Sequence, residues 1–303
     1  MTTTLVDADG LMYIAGFGVE KTHYQVGYET AEGDWVEAFF GSVREIKDFF
    51  AENEGFEEIH RESWVEVGEL SHALQIAKAK MSEIRDKFGP KMEVYVRGDD
   101  QKNFRDELAT IAPYKGNRTS HKPTYYEQIR QYLVDEWGAY KVEDQEVDDE
   151  VGCRLSELEA LGEDVVIASP DKDLDQFPGR HWSYKANIAY DVEPVEAYHF
   201  FYQQALEGDN ADNIKGCWKC GAKAASDILA AVVHMDEAEI WQAVVNTYEE
   251  SMGLNKCPYA GMPAEAVALE NAQLVYMRRV RGEIWMPPGV PNLQEVREVS
   301  LDD

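Results

Sequence analysis

The sequence predicts an α/β protein built on a mostly parallel sheet. Two observations carry this. Three short β-branched runs, TTLVDADG (3–10), MEVYVRGDD (92–100) and DVVIASPDKD (164–173), each end in acids. Segments of helical periodicity separate them, the alternation a parallel sheet requires.

The elements follow in order. The first strand runs into Asp7 and Asp9. Residues 22–40 read as a hairpin with Gly33-Asp34 near its turn, and 41–50 as a helix. Residues 68–88 place Leu70, Leu74, Ala77, Met81, Ile84 and Phe88 on one helical face. The second strand ends at Asp99 and Asp100. A helix is expected over 123–137, with Pro123 near its start. Another covers 148–161, led by acids that the helix dipole favours. The third strand ends at Asp171 and Asp173. HWSYKANIAYDV suggests short β segments, 194–206 a helix, and GDNADNIKGCWKCGAKAASDILAA a turn, a hairpin and a helix. Residues 251–263 read as a loop and 287–303 as a polar tail. There is no internal repeat and no low-complexity tract.

The chain has 303 residues, a 44% hydrophobic content and a formal net charge of −29, from 58 acids against 29 bases. These values suit a soluble globular fold. No apolar run approaches the roughly 20 residues of a membrane span, and the N-terminus MTTTLVDADG lacks the layout of a signal peptide, so a cytoplasmic location is expected. Such a charge repels nucleic acid globally, so a nucleic-acid function needs local basic patches.

Two patches are present. From 101 to 122, Lys102, Arg105, Lys115, Arg118 and Lys122 outnumber Asp106 and Glu107. In NIKGCWKCGAK, Lys215, Lys219 and Lys223 face no acid. Both are candidate phosphate-binding segments. The same stretch holds Cys217 and Cys220 at the spacing of a redox pair or half a zinc site. The four cysteines include no second close pair, His234 has no partner at zinc-finger spacing, and no apolar strand precedes the motif. No zinc is expected.

In open α/β sheets, ligands sit beyond the carboxyl ends of the strands. Asp7, Asp100, Asp171 and Asp173 are thereby expected at one edge. Glu146, Asp148 and Asp149 join them from a helix start, and Asp209 and Asp212 from EGDNADN. Clustered carboxylates repel one another unless a cation neutralises them, and hard oxygen donors select magnesium or manganese. Two such ions about 4 Å apart would make a two-metal phosphodiesterase site.

In this order, VDADG, YKGNR, EVDDEVG, IASPDKDLDQ and GDNADNIKG…CGAKAA resemble the flap endonuclease/5′-nuclease superfamily, which includes the 5′-nuclease domain of bacterial DNA polymerase I and phage 5′→3′ exonucleases. The motifs span residues 5 to 230. AQLVYMRRVRGEIWMPPG also resembles the end of the short-tailed-phage branch. The resemblance implies a PIN-like nuclease core over 1–190, with a short helical arch or clamp about 101–140, and a helix-hairpin-helix-type DNA-binding region with a C-terminal extension over 191–303. It implies two Mg2+ ions, with Mn2+ substituting, held by Asp7, Asp100, Glu146, Asp148, Asp149, Asp171, Asp173, Asp209 and Asp212. Asp7, Asp209 and Asp212 could act through water. Lys115 and Arg118 match basic residues that polarise the scissile phosphate and, with Asp7, form the catalytic set.

The span from Arg118 to Glu146 is shorter than in many relatives, which points to an open clamp. Asp9 replaces a small polar residue and reads as a strand-end carboxylate or, alternatively, as an extra acid acting through water. Residues 15–65 carry no family motif. In the hairpin, Cys217 and Cys220 fall where the family has apolar residues and would pack inward, leaving Trp218 and Lys219 at the tip. Gly216, Gly221 and Lys223 would meet phosphate, with a K+ ion at the hairpin.

The expected function is a metal-dependent 5′→3′ nuclease, monomeric, acting on DNA 5′ ends, flaps or nicks and on RNA–DNA hybrids, with a role in phage replication or recombination in the host cytoplasm. The alternative is a non-catalytic helix-hairpin-helix DNA-binding module.

Overall fold

The structure is a computed structural model and describes residues 2–99, 102–118 and 121–290. Nine strands and ten α-helices are assigned among them. They divide into two compact units, one of residues 1–10, 83–120 and 134–303, the other of residues 11–82 and 121–133. The boundary expected at 190/191 therefore does not separate compact units. Buried polar bonds hold the two sides of it together. Arg105 donates to the carbonyls of Leu274 and Tyr276, and Gln176 donates to that of Val275.

The first unit is built on six strands: β1 (Thr3–Asp7), β5 (Met92–Arg97), β6 (Tyr140–Val142), β7 (Val165–Ala168), β8 (Gly179–Ser183) and β9 (Ile188–Val192), in the order β6-β5-β1-β7-β8-β9. All neighbours run parallel except β8 and β9. The β-branched runs seen in the sequence are the central strands, buried on both faces as parallel strands are. In β1 all five residues are buried. Helix α6 (Val147–Ala160) packs Val147, Val151, Leu155 and Leu158 into one core with Leu5, Tyr95 and Ile167.

A second core gathers α7 (Pro194–Glu207), α8 (Ala222–Val232), α9 (Glu237–Met252) and α10 (Ala264–Val275), with Tyr202, Leu229, Val244 and Trp285 among its buried members. Cys217, Cys220 and Cys257 lie in this cluster. The chain reverses between α7 and α8 at Gly208 and Gly216, both at positive φ. A Cβ on Gly216 would meet the Gly208 nitrogen at 2.4 Å, so the crossing demands glycine.

The second unit holds a three-stranded antiparallel sheet, β3-β2-β4, of β2 (Glu20–Glu29), β3 (Trp35–Phe40) and β4 (Glu57–Val67). β2 and β3 are the expected hairpin. β4, with acids at four of its positions, was not anticipated. Helix α2 (Val43–Glu52) is capped by Ser42, whose hydroxyl accepts the Glu45 N–H at 3.2 Å. This unit has its own buried apolar set, including Leu11, Met12, Ala77, Met81, Ile129 and Leu133.

The remaining helices are α1 (Asp9–Phe17), α3 (Leu70–Phe88), α4 (Phe104–Leu108) and α5 (Tyr126–Trp137). Over 101–140, where an arch or clamp is expected, the described elements are α4 and α5. Their residues divide between the two units.

Candidate active site

Strands β1 and β7 are neighbours, and both end at the same edge of the first unit's sheet. Asp7 closes β1. Its Oδ2 accepts the Ser169 hydroxyl at 2.7 Å, and its Oδ1 accepts the Asp9 N–H at 3.0 Å. Ser169, just past β7, also accepts the Asp171 N–H at 3.0 Å, and Asp171 Oδ1 accepts the Asp173 N–H at 3.0 Å. This relay of short turns strings Asp7, Asp171 and Asp173 along one rim. Tyr184 steadies it by donating to the Asp7 carbonyl at 2.7 Å.

The N-terminus of α6 adds Glu146 and Asp148. Asp148 is electrostatically coupled to Asp7, Asp171, Glu146 and Asp173, which places it within the group. Burial, with these like charges, lifts its carboxyl well above the usual range. Asp7 is pushed up to about 7 by burial and then by Asp9, and Asp173 to about 6 by burial and Asp171. Asp9, half-buried at the start of α1, is raised to about 6 by desolvation, and its Oδ1 accepts the Arg97 N–H at 2.7 Å, tying the end of β5 to the turn after β1. Asp9 thus lies in the group as well as at a strand end.

A second set of acids has cations on it. Lys115 lies on Glu146 and 3.5 Å from Asp212, and Arg118 reaches Asp212 at 2.5 Å. Tyr114 donates to Glu146 at 3.0 Å and is also bonded to Asp212 at 2.7 Å. Burial opposes ionisation of Glu146, but Lys115 and Arg105 outweigh it and hold the carboxyl at about 2. Lys115 takes a positive φ of 54°, and its N–H donates to the Asp212 carbonyl at 2.8 Å, so the YKGNR turn is docked on the Asp209–Asp212 loop. Asp209 lies 3.7 Å from Lys172, which also pairs with Asp173 at 3.1 Å.

Asp7, Glu146, Asp148, Asp171, Asp173, Asp209 and Asp212 are thus linked with Lys115 and Arg118 through these bonds and couplings. Asp100 lies outside the described residues. Among the described residues, no three His, Cys, Asp or Glu side chains stand at the spacing of an assembled metal centre. Lysine and arginine side chains instead lie on several of the acids. The donor set nonetheless suits a hard divalent cation, because carboxylates raised by burial and by one another are the ones a cation would neutralise.

Three expected site residues are corrected. Asp149 is fully buried, with both oxygens taken by Arg105 at 2.6 and 3.0 Å and further N–H bonds from Glu146 and Arg278. It has no face left for a metal. Arg105 is itself 0% exposed and is no phosphate ligand; the basic run that suggested a patch conceals a core cation. Gly216 is buried too, and its N–H donates to Asn271 at 2.8 Å rather than to any anion.

Gly221, Lys215, Lys219 and Lys223 are exposed around the start of α8. There Gly221 is the N-cap, and no heavy atom lies within 4 Å of a Cβ built on it. Lys102 is exposed as well. Lys122 belongs to the second unit, 4.3 Å above the Tyr126 ring and 3.6 Å from Glu127.

Sequence reasoning missed Tyr114, Ser169, Gln176 and Gln204. Gln176 donates to Gln204 at 2.7 Å, and Gln204 donates to Asp173 at 2.7 Å, a neutral chain that aims one acid of the rim. Tyr114 adjoins Lys115 in the motif and could have been read there. Neutral glutamines carry no comparable signal.

No protein-family model matches the chain. The 5′-3′ exonuclease of Buchnera aphidicola subsp. Schizaphis graminum is 26% identical over 197 residues, 61% of this chain and 65% of that protein. DNA polymerase I of Streptococcus pneumoniae is 32% identical over 145 residues, and that of Bacillus caldotenax 31% over 147; each match covers 42% of this chain and 16% of the polymerase. The chain therefore spans just under two thirds of the first relative and a small part of the polymerases. Among solved structures, the T5 D15 protein co-crystallised with metal ions matches 91% of this chain and 89% of its own with a TM-score of 0.53 at 15% identity. The T5 5′-exonuclease bound to zinc gives the same values. The resemblance read from the motifs is borne out: the relatives the chain matches are named 5′-3′ exonuclease and DNA polymerase I, and its α/β fold is similar to that of the T5 5′-exonuclease.

Proposed function

We propose that this protein is a divalent-metal-dependent 5′→3′ nuclease that hydrolyses DNA phosphodiesters at or near 5′ ends. The observation that carries the reading is the mutually coupled group Asp7, Asp148, Asp171 and Asp173, bordered by Lys115 and Arg118. Acids alone would repel a phosphate, and bases alone would only bind one. Together they suit phosphoryl chemistry.

Asp7, Asp148, Asp171 and Asp173, with Glu146, Asp209, Asp212 and Asp100, would hold two Mg2+ ions, Mn2+ substituting. When bound, such ions lower the pKa of attacking water and stabilise charge on the phosphate oxygens. The chain's own groups do the rest. Lys115 and Arg118 exchange their carboxylate partners for the scissile phosphate and place positive charge where negative charge develops. Tyr114 keeps Glu146 and Asp212 in register during that exchange. Gln204 holds Asp173, and Ser169 holds Asp7.

Lys215, Lys219, Lys223 and the open N-terminus of α8 would receive the DNA backbone, with a K+ ion at the 208–221 turn. Substrates are DNA with 5′ ends, flaps or nicks, and RNA–DNA hybrids such as primers. The protein acts as a monomer in phage replication or recombination within the host cytoplasm.

The test is 5′-labelled blunt, recessed and flapped DNA incubated with Mg2+ and then with EDTA. Cleavage is expected only with the metal. DNA binding without cleavage in any divalent ion would overturn the enzyme and leave a non-catalytic DNA-binding module.

A further inference from the structure

The sheet of the second unit has two unlike faces. On one, Tyr28 is 7% exposed, with the rings of Phe49, Phe50 and Phe56 at 5.2, 5.7 and 5.4 Å. On the other, the register sets His23 opposite Trp64, Gln25 opposite Phe39 and Glu29 opposite Trp35. This second face is open: Trp35 is 53% exposed, Phe39 68% and Trp64 45%.

All three strands contribute to the open face. His23 stacks on Trp64 at 5.4 Å, Phe39 meets the Trp64 ring edge-on at 6.2 Å, and Trp35 lies across Gly27, where a Cβ would meet its ring at 2.5 Å. A joined aromatic surface of this kind marks an interaction site, whereas scattered single exposures do not. Acids are interleaved with the rings: Glu37 pairs across from Gly27, Glu62 from Gln25 and Glu66 from Lys21.

The charge decides the occupant. Aromatic faces and carboxylates both attract cations, the former through the ring quadrupole. A nucleic-acid strand could stack on the rings but would bring its phosphates against Glu37, Glu62 and Glu66. A second copy of this chain would set the same acids against one another, with net charge −29 on each side. We propose that this face docks an extended basic segment of a partner protein, in which Lys or Arg alternates with aliphatic residues. The cations lie over Trp35 and Trp64 and pair with Glu37 and Glu62. The proposal does not depend on the nuclease reading.

The test uses the full chain and three fluorescent probes: a short peptide of alternating Lys and Val, its Glu-Val counterpart, and a single-stranded oligothymidine. Anisotropy should show saturable binding of the Lys-Val peptide alone. Phe39→Ala/Trp64→Ala leaves the charge unchanged and should weaken that binding at least about tenfold. Glu37→Lys/Glu62→Lys should weaken it as much or more. The same charge change on exposed acids of α9, Glu249→Lys/Glu250→Lys, should shift it by less than about twofold. No binding of the Lys-Val peptide would overturn the proposal. So would equal weakening by both charge reversals, which is general attraction to an acidic protein. Oligothymidine binding lost with Phe39→Ala/Trp64→Ala would make the face a nucleic-acid platform instead.

Discussion

The acids of the candidate site fall into two sets of opposite charge environment. Asp7 and Asp148 are surrounded by other acids and their carboxyls are driven upward, Asp7 to about 7; Asp173, beside Asp171, rises to about 6 although Lys172 lies 3.1 Å away. Glu146 is buried as Asp7 is, yet Lys115 and Arg105 draw it down to about 2. Burial penalises all of them; what differs is whether the nearby cations outweigh it. The first set is built to receive a positive ion, and the second already has positive side chains of the protein.

The largest effect that could break this comparison is at the first set. Asp171→Asn, or Asp148→Asn, should reduce cleavage by at least about 10³-fold while DNA binding survives, because a metal clamp contributes several kcal/mol to the transition state. Retained cleavage, measured on 5′-labelled duplex with Mg2+, would mean that these acids do not form the metal site.

Next is the cation that holds the α6 N-terminus. Arg105→Met leaves Asp149 buried without its ion-pair partner and should cost about 3–5 kcal/mol in denaturant unfolding. Arg105→Met/Asp149→Leu should recover much of that loss, since neither charge then remains. If the single variant is as stable as the parent protein, Asp149 is not the buried anion described.

Lys115→Ala removes the cation shared by Glu146 and Asp212. It should slow the chemical step by about 10²-fold, as loss of one stabilising donor does elsewhere, with a far smaller change in DNA affinity. Single-turnover rates and binding titrations separate the two, and equal losses would reduce Lys115 to docking.

The smallest effect is on stability against pH. In EDTA, the folded values of Asp7 and Asp173 lie above the unfolded value of 3.8, so the folded state holds more protons between those limits. That contribution is full below about pH 4 and is lost as pH rises through 6 and 7. Glu146 acts in the opposite sense: its contribution is present above its unfolded value of 4.5 and is lost as pH falls toward about 2. The melting temperature without metal should therefore fall by a few degrees between pH 5 and pH 8 through the first set. Mg2+ should raise it more at pH 8 than at pH 5. Equal stabilisation by Mg2+ at both pH values would place the ion elsewhere.

Much of the fold was legible because its central strands are buried on both faces and are therefore written in β-branched residues. β4 was not, since EEIHRESWVEV lies open along its whole length and lacks the apolar run of a buried strand. Arg105 shows the same limit from the other side. Its basic neighbours suggested an exposed patch, and only the three-dimensional packing put Asp149 and two carbonyls around its guanidinium.

Sequence alone determined the order of the central strands and of the helices between them, the gathering of acids at strand ends, and the family resemblance, because these are local patterns in the chain. Tertiary structure decided what each acid does. Asp148 and Asp149 are adjacent and chemically identical, but successive helical residues point about 100° apart. One turns toward Asp7 and Asp171, where like charges lift it; the other turns into the core, where Arg105 neutralises it. A carboxylate's role is set by the charges within a few ångströms of it, and those come from residues distant in the chain.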